Sequence, residues 1–166
     1  DHLKSAVKDV STVLKGGELV IVESTVTPGT TEDVLKPILD ESGTEYDLAF
    51  CPERVLPGQL MHELVHNDRI IGGTTARAAE RAKEVYSKFV RGSLHACDAK
   101  TAEMAKLMEN TYRAVNIALA NELAMVAEER GADIWKAIEM ANNHPRVNVH
   151  QPGPGVGGYC LTKDPW

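Results

Sequence analysis

The stretch GELVIVESTVTPGTT, residues 17–31, decides the fold. Its β-branched, largely apolar run from Glu18 to Val26 suits a strand buried in a parallel sheet, and Pro28-Gly29 punctuates its end. Upstream, Leu3, Val7, Val10 and Leu14 recur at helical spacing until Gly16-Gly17 stops the run. Downstream, residues 31–41 read as a helix that tolerates Pro37, residues 47–51 as a second strand and residues 69–73 as a third. An Ala-rich amphipathic helix over 74–90 leads to a fourth strand at 93–97. This alternation predicts a parallel α/β sheet with right-handed crossovers.

The pattern changes at Asp98. No Gly or Pro interrupts residues 98–130, and Ala102, Ala105, Leu107, Met108, Ala114, Val115, Ile117, Ala118 and Leu123 give one long helix a broad apolar surface. Such a helix suits a linker or a dimer element. Gly131 ends it, and Asp133 can cap a short helix over 134–142. Between His144 and Tyr159 come three prolines and four glycines, a density that suits a shaped loop admitting a ligand close to the backbone.

Composition narrows the functional classes. With 166 residues, 43% of them hydrophobic and 25% charged, the chain can bury one ordinary core, as one domain or one domain plus part of another. No run approaches the roughly 20 apolar residues that cross a bilayer, and the opening Asp-His-Leu-Lys lacks the order of a signal peptide, so a cytoplasmic protein without a membrane partner is expected. Cys51, Cys97 and Cys160 are odd in number and widely spaced, which fits neither a disulfide framework nor a zinc site; no metal is expected. A net charge of −6 argues against nucleic acid as the partner.

Several residues have chemistry to offer. Cys160 follows Gly157-Gly158-Tyr159 and precedes Lys163-Asp164. A nearby ammonium favours thiolate and a carboxylate can orient water, so this is either an activated nucleophile or a half-buried structural cysteine beside a solvated pair. Cys51 and Cys97, at strand ends, read as packing residues. Lys106 and Asn110 lie four apart on the long helix and therefore share a face, either converging on a substrate oxygen or forming a solvated pair. Glu103 and Glu122 on the same helix read as surface ion-pairing residues. Ser24-Thr25 closes the first strand, where ligands collect in open α/β sheets, although a capped turn explains the hydroxyls equally well. Glu53-Arg54 occupies the equivalent place after the second strand, as a site or as a salt-bridged loop.

Taken together, four collinear blocks resemble the nucleotide-sugar 6-dehydrogenase (UDP-glucose/GDP-mannose dehydrogenase) family. They are Ser24-Thr25-Val26-Thr27-Pro28-Gly29, residues 51–58 (CPERVLPG), residues 105–112 (AKLMENTY) and residues 155–164 (GVGGYCLTKD). The resemblance implies a two-step, four-electron oxidation of a sugar C6 alcohol to the carboxylate with NAD, through a thiohemiacetal and then a thioester on Cys160. It implies that Lys106 stabilises the oxyanion, Asn110 orients that oxygen, Asp164 and Thr25 hold water and Glu53 assists proton transfer. Ser24, Thr25 and Lys163 would meet the cofactor, while Glu53, Arg54, Val55, Lys106, Asn110, Gly157 and Arg146 would meet the substrate, Arg146 reaching the neighbouring active site of a homodimer.

Residues 53–58 and His144-Pro145-Arg146-Val147-Asn148 are similar to the branch acting on UDP-2-acetamido sugars, especially UDP-N-acetylmannosamine. Pro57 stands where the UDP-glucose branch has a second acid. Tyr159, where the acetamido branch usually has histidine, and Lys163 point the other way, toward UDP-glucose. A single-step hydroxyacid dehydrogenase, sharing Lys106 and Asn110, and a non-catalytic dimerisation module remain alternatives. No G-x-G-x-x-G opens a strand-turn-helix unit, and the sequence stops shortly after Lys163. The expectation is an internal piece, inactive alone: residues 1–97 the second half of a Rossmann-type NAD domain, residues 98–166 a helical dimerisation region with the cysteine loop.

Overall fold

The computed structural model describes residues 2–56 and 58–165, and Pro57, which separates the two substrate branches in the sequence, lies outside the described residues. In chain order the elements are α1 (His2–Ser11), β1 (Glu18–Val22), a π-helical turn (Thr30–Leu35), α2 (Lys36–Asp40), β2 (Tyr46–Phe50), α3 (Leu60–His66), β3 (Arg69–Gly73), α4 (Ala76–Tyr86), β4 (Leu94–Asp98), α5 (Ala99–Arg130) and α6 (Ile134–Ala141). They form two compact units, Asp1–Lys106 and Leu107–Trp166.

In the first unit the strands stand in the order β1-β2-β3-β4. Alternate residues of β2 feed opposite faces, as a period of two requires. Leu48 and Phe50 pack with Val7, Val22, Leu35, Leu39, Ala99 and Ala102, whereas Ala49 and Cys51 pack with Ile71, Ala79, Ala82, Tyr86 and Val90. The sheet is therefore covered on one face by α1, α2 and the start of α5, and on the other by α4.

The sheet is mixed, which corrects the all-parallel expectation. β1 pairs with β2 and β3 with β4 in parallel, but β2 and β3 run antiparallel, with Ala49 opposite Gly73 and Phe50 opposite Gly72. A parallel pair needs a crossover element that buries itself on a sheet face. Helix α4 does this between β3 and β4, burying Ala78, Ala79, Ala82 and Tyr86. Helix α3, absent from the sequence reading, buries no residue, so the chain between β2 and β3 turns back beside the sheet without crossing it.

Other boundaries moved for local reasons. β1 ends at Val22, four residues early: the Cys51 N–H donates to the Val22 carbonyl at 2.8 Å, and the next bond, from the Glu53 N–H to the Glu23 carbonyl, is already stretched to 3.5 Å. Placed at the edge of the sheet with one neighbour, β1 is half-buried from Glu18 to Ile21. The segment before Pro37 opens into a π-helical turn, the Lys36 N–H reaching back five residues to Thr31, before α2 takes over. Thr75 caps α4 by accepting from the Ala78 N–H at 3.1 Å. Asp98 starts α5 directly from β4, accepting from the Thr101 N–H and hydroxyl. In the second unit Gly131 ends α5 at φ 67° and Asp133 caps α6, both as expected.

Gly72 and Gly73 sit where both sheet faces are tightest. A Cβ on Gly72 would lie 2.5 Å from the Ala102 Cβ and 3.0 Å from the Ala99 Cα; one on Gly73 would lie 2.5 Å from the Ala79 nitrogen. Gly72→Ala is expected to cost about 1–3 kcal/mol, read as a lower urea midpoint, because helix and strand must separate. Gly153→Ala, with nothing within 4 Å of the added carbon, is the control and should leave the midpoint in place. Equal midpoints for the two variants would refute this account of the packing.

Candidate active site

In the first unit, parallel pairing of β1 and β2 brings the segments after both strands to one sheet edge. Ser24 there is exposed and Thr25 half-buried. Glu53 is held by three donors: its Oε1 accepts from the N–H groups of Arg54 and Val55 at 2.6 and 3.0 Å, and its Oε2 from Arg69 Nη2 at 3.0 Å. Arg54, half-buried, reaches the Asp68 carbonyl with Nη1 at 2.9 Å.

The turn that follows Thr25 is held by α5. Glu103 is fully buried, and its carboxylate accepts from the Gly29 N–H at 2.5 Å, the Thr31 N–H at 2.8 Å and the Thr31 hydroxyl at 2.6 Å. This corrects its reading as a surface ion-pairing residue; Glu122 is exposed, as that reading requires. A signal was available: Ala99, Ala102, Glu103, Lys106 and Asn110 follow helical spacing, and all five are buried. Lys106 is 8% exposed and Asn110 5%, so neither belongs to a solvated pair.

Cys51 is buried, and burial, reinforced by the charge of Glu23, pushes its thiol up to about 12. Burial also raises the Cys97 thiol, followed by the charge of Asp98. Neither cysteine is suited to nucleophilic work.

In the second unit Cys160 is exposed. Its carbonyl accepts the N–H groups of Lys163 and Asp164 at 3.1 and 2.9 Å, and the Thr162 hydroxyl donates to the Gly158 carbonyl at 2.9 Å. Gly158, at φ 95°, supplies a backbone turn that other residues rarely adopt. Asp164 is anchored to the helix: its Oδ2 accepts from Asn110 Nδ2 at 2.6 Å. Upstream, Gly153 donates its N–H to Asn121 Oδ1 at 2.8 Å, so the cysteine loop is tied to α5 at two points. The Lys163 ammonium lies 6.0 Å from the centre of the Tyr159 ring. Gly157 and Arg146 are exposed. An exposed thiol on a turn that also carries a fixed carboxylate offers the groups that covalent catalysis with an oriented water requires.

Comparison with known proteins decides the family. Residues 1–90 match the model of the UDP-glucose/GDP-mannose dehydrogenase family, NAD binding domain, and residues 100–166 that of its central domain. The chain belongs to this family. Over 99% of its length it is 56% identical to the UDP-N-acetyl-D-mannosamine dehydrogenase of Methanocaldococcus jannaschii, covering 38% of that protein. It is 50% identical to the NDP-N-acetyl-D-galactosaminuronic acid dehydrogenase of Ralstonia nicotianae, covering 99% of the chain and 42% of that protein. The solved structure of a UDP-D-ManNAc dehydrogenase from Pyrococcus horikoshii superposes with a TM-score of 0.95 at 50% identity, covering 99% of this chain and 40% of that one. The chain thus spans about two fifths of the length of the curated relatives it matches.

In this UDP-glucose/GDP-mannose dehydrogenase family member the buried Glu103 gives a direct test. Glu103→Gln would set an NH2 group against donors that have no other acceptor among the described residues. The expected loss is about 2–3 kcal/mol, read as a lower urea midpoint at unchanged slope. An unchanged midpoint would mean that the turn at residues 29–31 holds itself.

Proposed function

We propose that the protein carrying this chain oxidises the C6 alcohol of a UDP-2-acetamido sugar to the uronate, with UDP-N-acetyl-D-mannosamine as substrate and NAD as oxidant. The observation that carries this reading is identity of 50–56% across 98–99% of the chain with UDP-N-acetyl-D-mannosamine dehydrogenases. The exposed thiol of Cys160, beside a carboxylate anchored by a buried amide, supports the covalent step.

The groups past β1 suit a dinucleotide: two hydroxyls, Ser24 and Thr25, beyond the carboxyl end of a strand and just ahead of a turn that Glu103 fixes through Gly29 and Thr31. Ser24, Thr25 and Lys163 would hold NAD, which when bound supplies the acceptor for the hydride leaving C6 at each oxidation stage. Cys160 adds as thiolate to the C6 aldehyde, forming a C–S bond and keeping the aldehyde from escaping. Lys106 stabilises the negative oxygen of that adduct and Asn110 orients it. Once the carbon is a thioester, water held by Asp164 and Thr25 attacks it, the C–S bond breaks, and Cys160 leaves as thiolate with Glu53 taking part in the proton transfer. Arg54, Val55 and Gly157 contact the sugar nucleotide.

The same reading makes residues 1–97 part of an NAD domain and residues 98–166 a dimerisation region. Met108, Tyr112, Val115, Leu119, Leu123 and Val126 are all exposed and recur along α5 at three- and four-residue steps, an apolar stripe fit for a second copy. Arg146 would extend across that interface to the partner's substrate. No helix among the described residues is long and apolar enough to cross a membrane, and we place the reaction in the cytoplasm. The similarity to NDP-N-acetyl-D-galactosaminuronic acid dehydrogenases favours the galacto sugar as the second candidate.

The deciding assay uses the full-length protein with UDP-N-acetylmannosamine, UDP-N-acetylgalactosamine and UDP-glucose, measuring NADH against sugar consumed. Two NADH per sugar are expected with the manno sugar, and uronate formation should fall by on the order of a thousandfold or more in Cys160→Ser. One NADH per sugar, or full turnover without the thiol, would replace this reading with a single-step alcohol oxidation.

A further inference from the structure

Arg69 opens β3 and is 2% exposed, the largest fully buried side chain among the described residues. The antiparallel register pairs Phe50 with Gly72, and continuing it by three residues sets Arg69 opposite Glu53. Residues directly opposite each other on antiparallel segments share a face. The guanidinium Nη2 accordingly donates to Glu53 Oε2 at 3.0 Å. Its carbon lies 5.3 Å from the centre of the Tyr86 ring, and the Tyr86 hydroxyl donates to Glu23 Oε1 at 2.6 Å. The Arg69 backbone is fixed as well, its N–H donating to the Ser93 carbonyl at 2.8 Å.

An ionised carboxylate has about four acceptor positions. On Glu53 the Arg54 and Val55 amides occupy two on Oε1, and Arg69 occupies one on Oε2. The position left open is on Oε2, and the place of the guanidinium decides which one it is. Stability alone is a poor reason for this arrangement. Buried ion pairs are commonly no more stabilising than apolar replacements, and Nη1 of Arg69 is buried with no hydrogen-bond partner among the described residues. A donor left in that condition opposes folding.

We propose that Arg69 is the positioning residue for Glu53, selecting the single acceptor position through which that carboxylate takes part in proton transfer. The proposal rests on the role given to Glu53 above.

A double-mutant cycle in the full-length protein tests it, with turnover, KM for the sugar nucleotide and the urea midpoint measured for Arg69→Lys, Arg69→Gln, Glu53→Gln and the Arg69→Lys/Glu53→Gln pair. Arg69→Lys keeps the charge without the planar fork. It should lower kcat on the order of tenfold to a hundredfold while changing KM by less than about twofold. In the Glu53→Gln background the same change should have no further effect on kcat. Arg69→Gln, a neutral variant, guards against a lysine that simply fails to pack, and should lower kcat at least as far. Multiplying effects in the double variant would overturn the proposal while leaving the role of Glu53 standing, and so would an Arg69→Lys variant that loses stability but keeps its kcat. Full turnover in Glu53→Gln would instead remove the role of Glu53 on which the proposal rests.

Discussion

Between β2 and β3 the chain reverses direction, and the sheet closes there only because two consecutive residues have no side chain. Gly72 lets the first turns of α5 settle against one face, and Gly73 lets α4 settle against the other. The reversal also sends the first residue of β3, not its last, to the edge where β1 and β2 end. Four parallel strands would have left Arg69 at the opposite edge, about 15 Å from Glu53, given a rise of roughly 3.3 Å per residue.

A second constraint is the placement of a carboxylate where no water competes for it. Glu103 offers its oxygens to two amides and a hydroxyl of a turn rich in threonine. Buried donors without acceptors destabilise by roughly 1–3 kcal/mol each, so the turn and the helix hold one another in place. Asn110 plays a similar part further along α5, fixing Asp164 through its amide. The polar residues of the buried stripe therefore act as attachments for loops, where an apolar residue at the same spacing would only have filled space.

What was legible in the sequence follows from what hydrophobic periodicity encodes. It marks where an element lies and which face it buries, so β3, α5 and the capped α6 appeared close to their observed limits. It says nothing about strand direction, which depends on whether the intervening chain crosses a sheet face. Helix α3 buries nothing and left little signal. The end of β1 lies where its pairing with the segment after β2 loosens beyond Cys51, a cause outside the segment being read. The motifs named Cys160, Asp164, Asn110 and Glu53 from their patterns. They did not name Glu103, whose spacing alone betrayed it, or Arg69, whose partner is visible only once the antiparallel register is known.

The three thiols show a division of another kind. Cys51 has its thiol pushed up to about 12 inside the packed sheet, and Cys97 is raised as well, while Cys160 stands exposed at the surface of its loop. Reactivity toward oxidants and electrophiles follows thiolate content and access. To a reagent in solution the folded chain therefore presents Cys160 first, with Cys97 half-buried and Cys51 buried, and under the proposed function Cys160 is the thiol the reaction needs. On the proposed function, the exposure that would admit a sugar aldehyde also admits peroxide, so damage and catalysis would compete for a single atom.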